Sequence, residues 1–292
     1  MPSLAAFADE KIAEDQVVRF EEDGAVILRG VISPDWIERM QTAVDEILAR
    51  PGAFASEMAP GESGRFYGDF FLWRSHPAFR AFLFESPLAE LAQRMMRARS
   101  ARFFYEQLLV KEPATAKPTP WHQDLPYWPL AGWQICSIWV PFDRATPETG
   151  VVTYVKGSHL WGKLYQPKPF GPVRPGAELG DEGLEEAPDI DARPQDFQFV
   201  TGVLEPGDVF VHHARTLHGA PGNASAVSRR RALATRWLGE DARWEDRPRH
   251  FLKGDKFSSL RPLLPVRSGD PLEGELFPLV TPRQTPRSRA AE

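Results

Sequence analysis

His122 and Asp124 stand two residues apart in the stretch PTPWHQDLPYWPL, and three more imidazoles, His212, His213 and His218, end the stretch EPGDVFVHHARTLHG. An extended chain sends residues i and i+2 to the same side, which brings His122 and Asp124 within reach of one ion. Alone, such a triplet is equally a solvated polar turn. A third ligand from a distant strand changes the chemistry. Two imidazoles and one carboxylate on one face of a metal make the site of non-haem Fe(II), with positions left open for a co-substrate and O2. His218 suits the third position, because Gly219, Pro221 and Gly222 beside it permit a tight turn and close backbone approach. His212 and His213 point to opposite faces of a strand, so at most one of them faces a pocket, and the expectation for both is structural packing.

A cationic group follows in SRRRALATRW, where Arg229, Arg230 and Arg231 enter an apolar run. A guanidinium inside a barrel is costly unless paired, and its planar fork suits a carboxylate held by two hydrogen bonds. Alternation places Arg230, Ala232 and Ala234 on one face and Arg229, Arg231, Leu233 and Thr235 on the other. The small residues beside Arg230 leave room for a ligand, which makes Arg230 the candidate to hold an acidic co-substrate. The remaining arginines are expected at a solvated strand start.

The elements that must position these groups are short. GAVILRGVI reads as a strand after a polar helical lead-in over 14–23, and SPDWIERMQTAVDEILARPG reads as an amphipathic helix. Ser33 is expected to cap it, Pro34 to occupy its first position, and Ile37, Met40, Val44, Ile47 and Leu48 to share its buried face. Residues 53–75 are irregular, and a second helix starts near Ser86. From 101 onward the runs ARFFYEQLLVKE, ICSIWVPFD, GVVTYVKGS, DFQFVTGVL, DVFVHH and RRALATRWLG alternate with turn residues, as in a barrel or two-sheet jelly roll. A loop-like segment over 164–196 interrupts them, and a loop this long is expected to be either a functional lid or partly disordered. The expected organisation is a single domain over 1–292. It comprises a helix-rich part at 1–100, a β core at 101–240 and a C-terminal extension at 241–292.

Composition narrows the partners. With 292 residues, 42% of them hydrophobic, the chain buries a sizeable core. A formal charge of -5 offers no basic field for nucleic acid, and no apolar run is long enough for a membrane span, so a small molecule is the expected partner. Cys136 is the only cysteine, which excludes an intrachain disulfide framework and a cysteine-rich zinc site. The N-terminus lacks the pattern of a secretory signal, and the expected location is the cytoplasm.

In this order, FEEDGAVILRGVISPDWIERM, VKEPATAKPTPWHQDLPYWPL, IWVPFDRATPETGVVTYVKGSH and LEPGDVFVHHARTLHGAPGNASAVSRRRALATRW make the chain resemble the phytanoyl-CoA dioxygenase family of Fe(II)- and 2-oxoglutarate-dependent oxygenases over about residues 14 to 240. The resemblance implies a double-stranded β-helix, mainly β with flanking helices. It implies His122, Asp124 and His218 as iron ligands and Arg230 as partner of the distal carboxylate of 2-oxoglutarate. Trp139 and Gln107 match positions near the co-substrate, and Lys111 shares a strand face with Gln107. The implied activity is hydroxylation of an unactivated C–H bond using O2, with 2-oxoglutarate converted to succinate and CO2. Related halogenases carry a small residue in place of the carboxylate, so Asp124 favours hydroxylation. Desaturation, epimerisation and ring formation use the same triad, and a cupin-like metal-binding module without oxygenase activity is the alternative of another class. Tyr127, Trp128, Phe66, Tyr67, Phe70, Phe71 and Trp73 are candidates for an apolar substrate wall or for core aromatics. Lys163, Lys168 and Arg174 in the long loop face either an acidic substrate or solvent.

Overall fold

The computed structural model describes residues 4–170, 183–265 and 267–282. Helices α1 (Leu4–Lys11) and α2 (Glu14–Asp23) lead into strand β1 (Ala25–Leu28), and α3 (Pro34–Ala49) follows. Strands β2 (Ser56–Glu57) and β3 (Phe66–Phe70) precede α4 (Pro77–Glu85) and α5 (Leu88–Met95). The later chain is β-rich, beginning with β4 (Ala101–Lys111), β5 (Thr119–His122), β6 (Leu130–Ala131), β7 (Ile135–Pro141) and β8 (Thr153–Val155). It continues through β9 (Phe199–Val200), β10 (Val209–His213), β11 (His218–Ala220), β12 (Arg230–Leu238), β13 (Arg243–Trp244) and β14 (Leu279–Thr281).

A major sheet runs β1-β10-β7-β12-β4-β3-β2, with β14 also paired to β4, and a minor sheet runs β5-β11-β8-β9. The pairings are antiparallel, and the architecture is the expected double-stranded β-helix. The sheet reaches beyond 101–240 at both ends. Strand β1 pairs with β10, β3 pairs with β4, and β14 from the C-terminal part pairs with β4. The first hundred residues thus supply strands as well as covering helices.

The long strands are buried on both faces, and their two faces differ in chemistry. Cys136, Ile138 and Val140 of β7, Val209 and Val211 of β10, and Leu233 and Trp237 of β12 look outward onto a core shared with Ile37, Met40 and Val44 of α3 and with α4 and α5. The alternate residues Ser137, Trp139, Phe210, His212, Arg230, Ala234 and Arg236 look inward. At one end the C-terminal part closes the barrel, with Leu252, Phe257 and Leu260 packed among Phe71, Phe104, Tyr105 and Trp128. No described helix is long and apolar enough to cross a membrane.

Helix α3 starts at Pro34 as expected, but the Ser33 side chain makes no capping hydrogen bond. The segment ahead of Ser86 is helical. Pro77 begins α4, His76 Nδ1 accepts the Ala78 N–H, and Ser86-Pro87 separates α4 from α5. Its apolar run AFLF lacks the one-sided periodicity that marks a helix in sequence. Gly24 ends α2 at φ 78°, with its N–H bonded to Phe20 O. A Cβ there would collide with His159 Nδ1 and Thr216 Oγ1, so glycine is what admits the chain into β1.

Glu106 lies on the outer face of β4, where Oε1 accepts the Trp73 N–H at 3.0 Å and Oε2 is buried without a hydrogen bond. Burial pushes its carboxyl up from 4.5 to about 8, against backbone hydrogen bonds that favour the ionised form. Between those values the folded chain keeps a proton that the unfolded chain has lost, so this group's stabilisation declines as pH rises through the window and is constant above it. Glu106→Gln is expected to flatten that decline, so its melting temperature gains on the wild type as pH rises across the window. Parallel melting curves at both ends of the window would rule out this origin.

Candidate active site

The three candidate ligands meet between the sheets. His122 and His218 are direct partners across β5 and β11, and their rings lie 4.1 Å apart. Strand β5 ends at His122. Asp124 takes up helical backbone at φ −71° and ψ −43°, opening the turn Leu125–Tyr127. A turn, and not the continued strand expected from spacing, aims the carboxylate back at the imidazoles. Gln123 between them anchors this turn. Its amide nitrogen donates to Arg215 O at 2.7 Å and Lys163 O at 3.1 Å, and its oxygen accepts the Tyr165 N–H at 3.0 Å.

Asp124 Oδ1 lies 3.8 Å from His122 Nε2 and 4.0 Å from His218 Nε2, and one donor atom from each residue falls within 4.8 Å of the others. Each ring is fixed from behind, His122 Nδ1 by Pro120 O at 2.8 Å and His218 Nδ1 by Thr216 O at 2.9 Å. A carbonyl only accepts, so both rings carry their proton on Nδ1 and leave an Nε2 lone pair toward Asp124. The other carboxylate oxygen, Oδ2, accepts Ser137 Oγ at 2.8 Å and faces His212 Nε2 at 3.3 Å.

Burial pushes His122 down to about 4 and holds His218 well below the usual imidazole range. Burial alone would raise Asp124, but the charge of Arg236 and the hydrogen bond from His212 hold it well below the usual carboxylate range. Neutral imidazoles and an ionised carboxylate are the protonation states that a divalent metal needs.

Arg230 is buried on the inner face of β12, with Nη1 on Leu109 O at 3.3 Å and its guanidinium 5.6 Å from the Trp139 ring. Burial lowers it to about 10, still a cation at neutral pH. Trp139 and Gln107 line the same cavity. Lys111 is buried opposite Arg230, but its Nζ donates to Pro221 O at 2.6 Å, which places it behind the cavity wall. Arg229 and Arg231 point away, paired with Asp45, Glu112 and Asp143. Of the candidate aromatics, Phe66 lines the cavity and Tyr127 meets the His122 ring edge-on at 5.7 Å, while Tyr67, Phe71, Trp73 and Trp128 are core. Lys163 and Lys168 pair with Glu185 and Glu186 of their own loop, and Arg174 lies outside the described residues.

Three residues were missed or misjudged in sequence. His212 faces Asp124, contrary to the packing expectation, whereas His213 does point outward, onto Trp133 O at 2.8 Å. Tyr154, the cross-strand partner of His218, stacks on it at 5.5 Å. Arg236 reaches within 4.0 Å of Asp124 Oδ1. The one signal for Arg236 was its even spacing from Arg230 along the same face.

Five buried polar atoms without a hydrogen-bonding partner line this one cavity: Trp139 Nε1, Tyr154 OH, His212 Nδ1, Arg230 Nε and Arg236 Nε. Such atoms are rare in a protein interior, and their convergence on a His, Asp, His cluster fits a site made for a metal and a polar ligand. Ser137→Ala and His212→Phe each delete one contact to Oδ2 at small cost in volume. Each is expected to weaken binding of Fe(II) or Co(II) by about 10- to 100-fold, with little change in melting of the metal-free protein. Wild-type metal affinity in the double variant would mean that Oδ2 is not held this way.

The chain matches the family model for phytanoyl-CoA dioxygenase (PhyH) over residues 20–232. It is similar to the multifunctional dioxygenase prhA of Penicillium brasilianum, 24% identical over 245 residues that cover 80% of this chain and 74% of that protein. Its fold superposes on the non-haem alpha ketoglutarate dependent carbocyclase SnoK from nogalamycin biosynthesis with a TM-score of 0.72 and 27% identity, covering 96% of this chain and 100% of that one. The epimerase SnoN, solved with Fe3+, alpha ketoglutarate and nogalamycin RO, shares the fold at a TM-score of 0.67 and 23% identity, covering 91% of this chain and 98% of that one. The matched span carries His122, Asp124, His218 and Arg230, and the chain belongs to the phytanoyl-CoA dioxygenase family, whose oxygenases work with iron, 2-oxoglutarate and O2.

Proposed function

We propose that the protein hydroxylates an unactivated C–H bond of a small organic substrate. In this reading His122, Asp124 and His218 hold Fe(II), and Arg230 holds the distal carboxylate of 2-oxoglutarate, with Trp139 and Gln107 beside it. The observation that carries the reading is a metal-competent cluster and a buried, incompletely bonded guanidinium in one cavity. Iron bound there supplies the oxidising chemistry, in which O2 and 2-oxoglutarate give succinate, CO2 and an oxidised substrate carbon.

The residues themselves bind, orient and exclude water. His122 and His218 present Nε2 lone pairs because their Nδ1 protons are engaged, and Asp124 presents Oδ1 because Oδ2 is engaged. Leu109, Val152, Phe66 and Phe170 make the neighbouring wall apolar, which strengthens every charge contact inside. Phe170 packs against the His122 ring at 4.6 Å, so the substrate side of the site favours an apolar molecular face. With Lys163 and Lys168 satisfied by Glu185 and Glu186, nothing in the described part of the loop favours an acidic substrate.

Ring formation is a second reading, favoured by the likeness to SnoK across nearly the whole chain. A binding module without oxygenase activity leaves Arg230 Nε and Trp139 Nε1 without purpose. The deciding experiment is anaerobic titration of Fe(II)-loaded protein with 2-oxoglutarate, followed by the visible metal-to-ligand charge-transfer band. The band is expected in wild type, to require about 10-fold or more co-substrate in Arg230→Ala, and to be lost in Asp124→Ala through loss of iron. No band in iron-loaded wild type would sink the oxygenase reading. Succinate formation with a cyclised product and no hydroxylated one would replace hydroxylation by the second reading.

A further inference from the structure

In the site as assigned above Arg236 acts only through its charge on Asp124 and contacts no co-substrate, and it lies beyond the residues matched to the family. Its side chain is buried and lines the cavity. Nη1 donates to Ala234 O at 2.9 Å, Nη2 to Gln107 Oε1 at 3.3 Å, and Nε has no partner. The guanidinium stacks on Tyr105 at 4.6 Å and approaches Trp128 at 6.0 Å. Its nearest anion is Asp124 Oδ1 at 4.0 Å, too far for a hydrogen bond and the same oxygen that faces both imidazoles.

At that distance Arg236 faces Asp124 as a counter-charge without a hydrogen bond to it. Once a divalent cation lies among the three donors, its charge outweighs that of Asp124 and leaves Arg236 as a cation beside a cation in a dry site. Uncompensated buried charge is strongly unfavourable, and an anionic oxygen between the two removes the conflict.

The placement of the two inward arginines says which anion. Arg230 folds onto Leu109 O, and Leu109 pairs with Ala232; Arg236 folds back onto Ala234 O and onto Gln107, which pairs with Ala234. The two guanidinia are thus anchored two strand residues apart, roughly 7 Å, over a floor of alanines. This is the scale of a five-carbon dicarboxylic acid. We propose that Arg236 binds the metal-side carboxylate of the 2-oxo acid, while Arg230 binds the distal one, so that β12 measures the length of the co-substrate. The proposal rests on the oxygenase reading above and adds a second carboxylate contact to it.

The test compares 2-oxoglutarate with pyruvate, which keeps the 2-oxo acid and lacks the distal carboxylate. Binding to Mn(II)-loaded protein is measured by calorimetry, without turnover, for wild type, Arg230→Gln, Arg236→Gln and Arg236→Lys. Arg236→Gln is expected to weaken both ligands by about 10- to 100-fold, the loss of a charge-assisted hydrogen bond. Arg236→Lys should recover part of that, and Arg230→Gln should weaken 2-oxoglutarate while leaving pyruvate as in wild type. Mn(II) titration and melting of each variant establish that the metal is retained and the chain folded, and the lysine variant serves if the glutamine variant fails either check. If Arg236→Gln binds both acids as wild type does, Arg236 only neutralises Asp124 and the proposal falls. If wild type itself binds neither acid, the oxygenase reading falls with it.

Discussion

The rest of the site depends on one buried carboxylate remaining ionised. Asp124 is sealed between two sheets, where burial by itself favours the neutral acid, and the charge of Arg236 and the hydrogen bond from His212 are the largest contributions that reverse that preference. Arg236 supplies charge from one side, while Ser137 and His212 engage the oxygen that turns away from the imidazoles. Each comes from a different strand, β12, β7 and β10, that lie side by side in the major sheet. The minor sheet supplies His122 and His218, so the candidate metal cluster lies at the seam between the two sheets.

This arrangement explains the division of labour in the major sheet. One face is apolar and takes the helices; the other carries arginines, an imidazole, a serine and a tryptophan nitrogen, all buried. An interior of that kind is stable only as far as its polar groups satisfy one another, and here the satisfaction is incomplete. Five of the unpaired atoms belong to residues that line the one cavity where a ligand would lie. Elsewhere the inward polar groups are bonded, as with Gln123 and its three partners or Lys111 and Pro221.

What the sequence made legible follows from what spacing encodes. His122, Asp124 and His218 were readable because their residue types are few and their order matches a known chemistry. Arg230 was readable because alternation beside alanines distinguishes it from Arg229 and Arg231, which pair with carboxylates on the other face. Arg236 shares the face of Arg230 by the same alternation, but its approach to Asp124 is a contact between distant strands that no local pattern contains. His212 was misjudged because β10 is buried at every position, so its sequence shows no alternation of polar and apolar residues to mark the cavity side. The turn at Asp124 escaped because it is fixed by Gln123 reaching residues 163, 165 and 215, contacts that no local pattern contains. Helix α4 escaped because its apolar residues surround it instead of forming a stripe.

The strand order has a kinetic consequence. Strand β12 lies between β4 and β7, and the bond from Arg230 to Leu109 spans 121 residues. Strand β10, which carries His212, needs β1 from the start of the chain. Pairings this distant along the chain form slowly, after local helices such as α3. The three candidate ligand atoms therefore come together only when the sheets have closed around them, so a metal held by all three would enter an assembled barrel rather than nucleate its folding.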